Sequence, residues 1–142
     1  MSRTAVRWDW PAMRSGAAIS MILALPLAVG ARIAADGDHE SVAIGFSIGA
    51  TIGFLVGAGW AAWTQRVGFP LSHGLVTAGG TYLAAQAVFI VIRLVRGEDV
   101  RWFAALFTLT FVLLAGLLGG LLGQRLRSAG IQPTRFTVRE DP

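Results

Sequence analysis

Apolar residues in this chain gather into four long runs, and the charges fall almost entirely between them. The runs lie at about 15–35, 41–63, 74–92 and 102–123. A helix rises roughly 1.5 Å per residue, so about 20 apolar residues cross the hydrocarbon core of a bilayer. Each run has that length, although the first reaches Ala35 only if Arg32 snorkels outward to the interface. The connections Asp36 to Glu40, Thr64 to His73 and Arg93 to Arg101 are short, which makes neighbouring helices antiparallel. The pattern predicts an all-α fold, an integral-membrane, up-down-up-down four-helix bundle. A segment 1–14 precedes the spanning domain 15–123, and a tail 124–142 follows it.

Small residues add a second periodicity. In the second run Gly45, Gly49, Gly53, Gly57 and Ala61 recur every fourth position, and no charge occurs from Ser41 to Trp63. Gly16, Ser20, Ala24 and Ala28 repeat likewise in the first run, and Ala115, Gly119 and Gly123 in the fourth. Glycine forms helices poorly in water, but in lipid a ridge of small residues lets two backbones approach closely. A chain with 18 glycines yields some repeats by chance. Four in register on one helix predict glycine-mediated packing, within the chain or against another copy. Pro26 removes one backbone hydrogen bond from the first helix and predicts a kink there.

Composition agrees with a bilayer as solvent. Hydrophobic residues are 54% and charged residues 14%, against a charged share of about 25% in soluble proteins. The absence of cysteine excludes disulfides and thiolate chemistry. The net charge is +4 and every basic residue is arginine, which pairs bidentately with phosphate. Anionic lipid headgroups are therefore the expected partner. Nucleic acid is not, because the arginines form no stripe. The positive-inside rule puts both termini in the cytoplasm, with eight arginines on that side against four opposite. Trp8, Trp10, Trp60 and Trp63 then share one headgroup level and Trp102 stands at the other. A secretory signal peptide is a competing reading of the first run. Pro26 in its apolar core and Ile33 at the outer cleavage position argue against it.

Chemistry is sparse. No ionisable side chain lies at membrane depth, where proton-coupled transporters place one, and no nucleophile–base pair or metal set is visible. No enzyme, cofactor or catalytic residue is expected. The serines and threonines of the runs can bond to their own helices. Gln86 is different, because a mid-helix amide needs a partner across an interface, and Tyr82 one turn earlier is a candidate. The pair reads as an interhelical bond or, alternatively, as the lining of a polar conduit with Thr51 and Thr81 in a small channel. Asp36, Asp38, His39 and Glu40 crowd the first loop, but contiguous side chains seldom converge on one ion. They read as a solvated turn whose acids favour the next helix N-terminus, with Asp38 or Ser41 as its cap. Ser72 is placed to cap the third helix, with His73 as interfacial structure. Arg93, Arg96 and Arg101 surround Glu98 and Asp99 in the last loop, which reads as local ion pairing. Arg135 to Arg139 alternate in the manner of a short strand.

The glycine ridge followed by Pro70-Leu71-Ser72-His73-Gly74 and Gln86 resembles a group of small four-helix membrane proteins of high-GC Gram-positive bacteria. The likeness covers the second and third helices. It implies the four-helix layout and the bacterial plasma membrane, and it supplies no catalytic residues. The chain is unlike the small fluoride channels, and it lacks the first-helix glutamate of the four-helix multidrug exporters. Together these features predict a non-enzymatic protein that works by helix association, with itself or as an accessory subunit of a membrane complex.

Overall fold

The computed structural model describes residues 8–133. Those residues form four helices, α1 (Trp10–Asp36), α2 (Glu40–Thr64), α3 (Pro70–Val95) and α4 (Trp102–Ser128). All four are long and apolar enough to cross a membrane, the pattern of a multi-pass membrane protein.

The helices begin earlier or end later than the apolar runs. Asp9 is the reason at α1, where its Oδ1 accepts the Ala12 N–H at 3.2 Å. With Pro11 in the first turn, the helix starts at Trp10 rather than near residue 15. Pro70 likewise opens α3, whose cap position falls to Phe69 without a side-chain bond. Ser72 is therefore inside the helix and caps nothing. At α2 the cap position belongs to His39, also without a side-chain bond, so neither Asp38 nor Ser41 fills that role. Glu40 still puts a carboxylate on the first turn, where the helix dipole favours it. α1 runs through Pro26 as one helix.

At its far end α4 continues past residue 123 to Ser128. It closes with Gly130 at φ +75, a conformation that favours glycine. The Gly130 and Ile131 N–H groups donate to Arg127 and Leu126 carbonyls at 3.0 and 3.1 Å, which satisfies the last turn and folds the chain back.

α2 is the hub, touching α1, α3 and α4, whereas α1 and α4 do not meet among the described residues. Long-range bonds fix the alternation of direction. Asp9 before α1 bonds to Arg66 after α2 and to His73 at the start of α3, and Arg127 at the end of α4 reaches Gln65. One end of the bundle therefore gathers both ends of the described chain; the other carries the loops 37–39 and 96–101.

The core is built mainly from alanine: Ala24, Ala50, Ala58, Ala78 and Ala115, joined by Phe54, Tyr82 and Val112. Large apolar side chains point outward instead, with Ile22 72% and Phe103 83% exposed. The helices are accordingly close. A methyl group on Gly53 would stand 2.9 Å from the Ala24 nitrogen, and one on Gly16 2.5 Å from the Gly57 oxygen. Between α2 and α4, a methyl on Gly119 would lie 2.5 Å from the Leu55 oxygen. Between α3 and α4, one on Gly74 would lie 2.7 Å from the Gly116 oxygen.

Candidate functional site

Of the second-helix ridge, Gly53, Gly57 and Ala61 are buried and Gly49 faces Leu27. A side chain on Gly57 would meet Ser20 and the Gly16 carbonyl. Gly45 stands apart: it is exposed, and nothing lies within 4 Å of where its Cβ would be.

Tyr82 and Gln86 do not bond to each other. The Tyr82 hydroxyl donates to the Ala105 carbonyl of α4 at 2.8 Å, because the long phenol reaches the neighbouring helix rather than folding back along its own. Its ring meets Phe54 edge-on at 6.3 Å. Gln86 lies half-buried on α3. Thr51 and Thr81, the other candidate conduit groups, donate to the carbonyls of Ser47 and Thr77 at 2.9 and 2.6 Å. Ser47, Thr64, Thr108 and Thr110 also bond four residues back. Among the described residues, the buried hydroxyls Ser20 Oγ and Thr77 Oγ1 have no hydrogen-bond partner.

At the loop end, Arg93 and Arg96 approach Glu98 at 3.9 and 4.0 Å, and Arg93 donates to the Asp99 carbonyl at 2.8 Å. The Arg96–Glu98 pair is exposed on both sides and contributes little to stability. The acidic turn 36–40 does not gather its side chains, and among the described residues no three His, Asp or Glu groups form a metal-binding set. The alternating segment from Arg135 to Arg139 lies outside the described residues.

The densest polar arrangement is at the opposite end, around His73, Asp9 and Gln65. His73 is fully buried. Its Nε2 accepts the Asp9 N–H at 3.0 Å and its Nδ1 lies 2.8 Å from the Phe69 carbonyl. A neutral imidazole with the proton on Nδ1 satisfies both contacts. Trp8 covers the ring at 5.5 Å. The Asp9 carboxylate caps α1 through Oδ1 and accepts the Arg66 N–H through Oδ2 at 2.9 Å. Asp9 thereby clasps α1 to the α2–α3 turn.

Beside it, Gln65 is 1% exposed. Its Oε1 accepts the Val67 and Gly68 N–H groups at 2.7 and 2.9 Å, while its Nε2 has no acceptor among the described residues. An Arg127 guanidinium nitrogen donates to the Gln65 carbonyl, and the Trp63 indole N–H donates to the Ile131 carbonyl at 2.8 Å. Trp63, Gln65, Arg127 and Ile131 are among the residues that line an open pocket of about 480 Å³. A smaller one of about 340 Å³ adjoins it at Thr64 and Arg66 and is lined by Asp9 and Ser15.

The signal for the Asp9 cap is present in the sequence as Asp followed by Trp-Pro. Burial of Gln65 and His73 carries no local signal, since it depends on which helix ends meet. No protein-family model, curated protein or solved structure matches the chain.

Proposed function

We propose that this chain is a non-enzymatic, multi-pass protein of a bacterial plasma membrane that acts by helix association, as a homo-oligomer or as an accessory subunit of a membrane complex. Four long apolar helices with bulky side chains outside and alanine inside support lipid as the solvent. Close glycine contacts in the α1–α2, α2–α4 and α3–α4 seams support glycine-mediated packing within the chain.

One observation carries the association reading. Among the glycines inside the four helices, only Gly45 and Gly80 have nothing within 4 Å of a Cβ position. Gly80 shares the outer face of α3 with Ala84 and Ala87, all three exposed. An interior glycine costs a helix about 1 kcal/mol relative to alanine. Unused inside the chain, that flat strip suits the approach of another helix.

The chain has no cysteine, so Ala84→Cys gives a single reporter. In native membranes it should crosslink to a second copy or to a partner, and Gly80→Leu should abolish the product without unfolding the protein. A monodisperse monomer in lipid nanodiscs, with no crosslinked species, would refute association. Arg14, Arg66, Arg125 and Arg127 at the Asp9 end, together with Arg3, Arg7, Arg135 and Arg139 of the adjoining terminal segments, outnumber Arg32, Arg93, Arg96 and Arg101 opposite, which supports placing that end in the cytoplasm.

A further inference from the structure

The pocket of about 480 Å³ lies where the apolar length of α2 ends, between Trp60, Trp63, Gln65, Arg66, Arg127 and Ile131. Its walls come from two places far apart in sequence. The last turn of α2 supplies one, and the chain folded back beyond α4 supplies the other. The Trp63 bond to the Ile131 carbonyl holds the two together.

Its donors are in surplus. Neither Arg66 nor Arg127 pairs with a carboxylate among the described residues. Arg127 spends one nitrogen on the Gln65 carbonyl, and the Arg66 guanidinium makes no hydrogen bond among those residues. A guanidinium has five N–H donors, so most of this capacity is open. The nearby carboxylate, Asp9, lines the adjoining pocket and is held by the Ala12 and Arg66 backbone N–H groups. The exposed carbonyls of the α2 C-terminus would repel an anion, but Arg127 already covers Gln65 O.

Gln65 supplies an independent indication. Its side chain is buried in the pocket wall with both Nε2 hydrogens unaccepted. A buried donor without an acceptor is costly. Nε2 is itself covered in this structure, so an acceptor-rich ligand in the pocket relieves that cost by drawing the amide round toward it. The rim is apolar: Trp60 and Trp63 meet edge-to-face at 5.4 Å, and Ile131 is exposed beside them.

We propose that this pocket is a binding site for the phosphate of an anionic phospholipid, with Arg66, Arg127 and Gln65 as donors and the two indoles against the glycerol and upper acyl chain. The proposal rests on the membrane reading but not on association. Phosphate is the shared chemistry of a lipid headgroup and a soluble phosphate. The apolar rim favours the lipid.

Native mass spectrometry of the full chain in neutral detergent, titrated with phosphatidylglycerol or phosphatidylcholine, tests this on whatever oligomer is present. Phosphatidylglycerol should bind more tightly. Arg66→Gln should weaken it about five-fold, the usual effect of one arginine at an anionic surface. Gln65→Glu keeps the oxygen that accepts from Val67 and Gly68 but exchanges the donor for a negative charge, and should also weaken binding. Arg125→Gln makes the same charge change outside the pocket and should leave the lipid preference nearly intact. Equal binding of the two lipids, or an equal loss with Arg125→Gln and Arg66→Gln, overturns the site. Displacement of the lipid by millimolar inorganic phosphate overturns the lipid assignment in favour of a soluble anion.

Discussion

Ser20 and Gly57 face each other where α1 crosses α2, and both are buried. The serine hydroxyl has no partner there, so it contributes desolvation without a compensating bond. Ser20→Ala is expected to leave stability unchanged or raise it by up to about 1 kcal/mol, read from thermal unfolding in detergent by tryptophan fluorescence. Gly57→Leu should do the opposite. Its side chain would run into Ser20 and the Gly16 carbonyl, and overpacking of this kind costs about 1–3 kcal/mol or more. Gly45→Ala belongs to the same residue ridge but enters open space. It should stabilise slightly, through the higher helix propensity of alanine. If Gly57→Leu melted with the wild type, the close approach at this crossing would be wrong. The four-residue repeat in the sequence raises the expectation of close approach. The partner at each position was not legible, since the repeat is the same whether a glycine meets α1, as Gly53 and Gly57 do, or meets nothing, as Gly45 does.

At the scale of the element, helix ends rather than helix centres separate the structure from the hydropathy pattern. Apolar runs report what must avoid water, and a helix continues beyond them as far as caps and turns allow. α1 gains its first turn from Asp9, and α4 gains more than a turn before Gly130 reverses the chain. The clasp built on Asp9 joins three elements through two carboxylate oxygens and one backbone N–H. Asp9→Ala should therefore cost about 0.5–2 kcal/mol, the range for a lost N-cap. It should also speed hydrogen exchange at the Ala12 and Arg66 amides while leaving mid-helix amides of α3, such as Tyr82, unchanged. Slowed or unaltered exchange at Arg66 would show that the carboxylate does not hold the α2–α3 turn. The His73 contact could not be read in advance. Nothing near residue 73 states that the start of α1 will lie across it, and an isolated histidine after Pro70 reads only as interfacial structure.

For the whole molecule, the distribution of charge over the two ends sets how the bundle should sit in a membrane. Arg14, Arg66, Arg125 and Arg127 stand at the end with the Asp9 clasp. At the other end Arg93 and Arg96 are partly offset by Glu98, and the loop 36–40 is acidic. The positive-inside rule counts arginines near the helix ends; with Arg3, Arg7, Arg135 and Arg139 of the terminal segments, the expectation is eight on the clasp side against Arg32, Arg93, Arg96 and Arg101 opposite, and so a cytoplasmic clasp end. The cysteine-free sequence permits a direct measurement. His39→Cys and Gln132→Cys each place one thiol in an exposed position at opposite ends, and neither native side chain makes a hydrogen bond among the described residues. In intact cells a membrane-impermeant maleimide should label the cysteine at 39 and spare the one at 132, and permeabilisation should expose both. The reverse pattern would invert the molecule and carry the Arg66–Arg127 pocket to the outer leaflet, where the same site would meet a different set of lipids. Labelling of both thiols in intact cells would contradict a bundle that crosses the bilayer, because the three spanning helices between residues 39 and 132 place the two thiols on opposite sides.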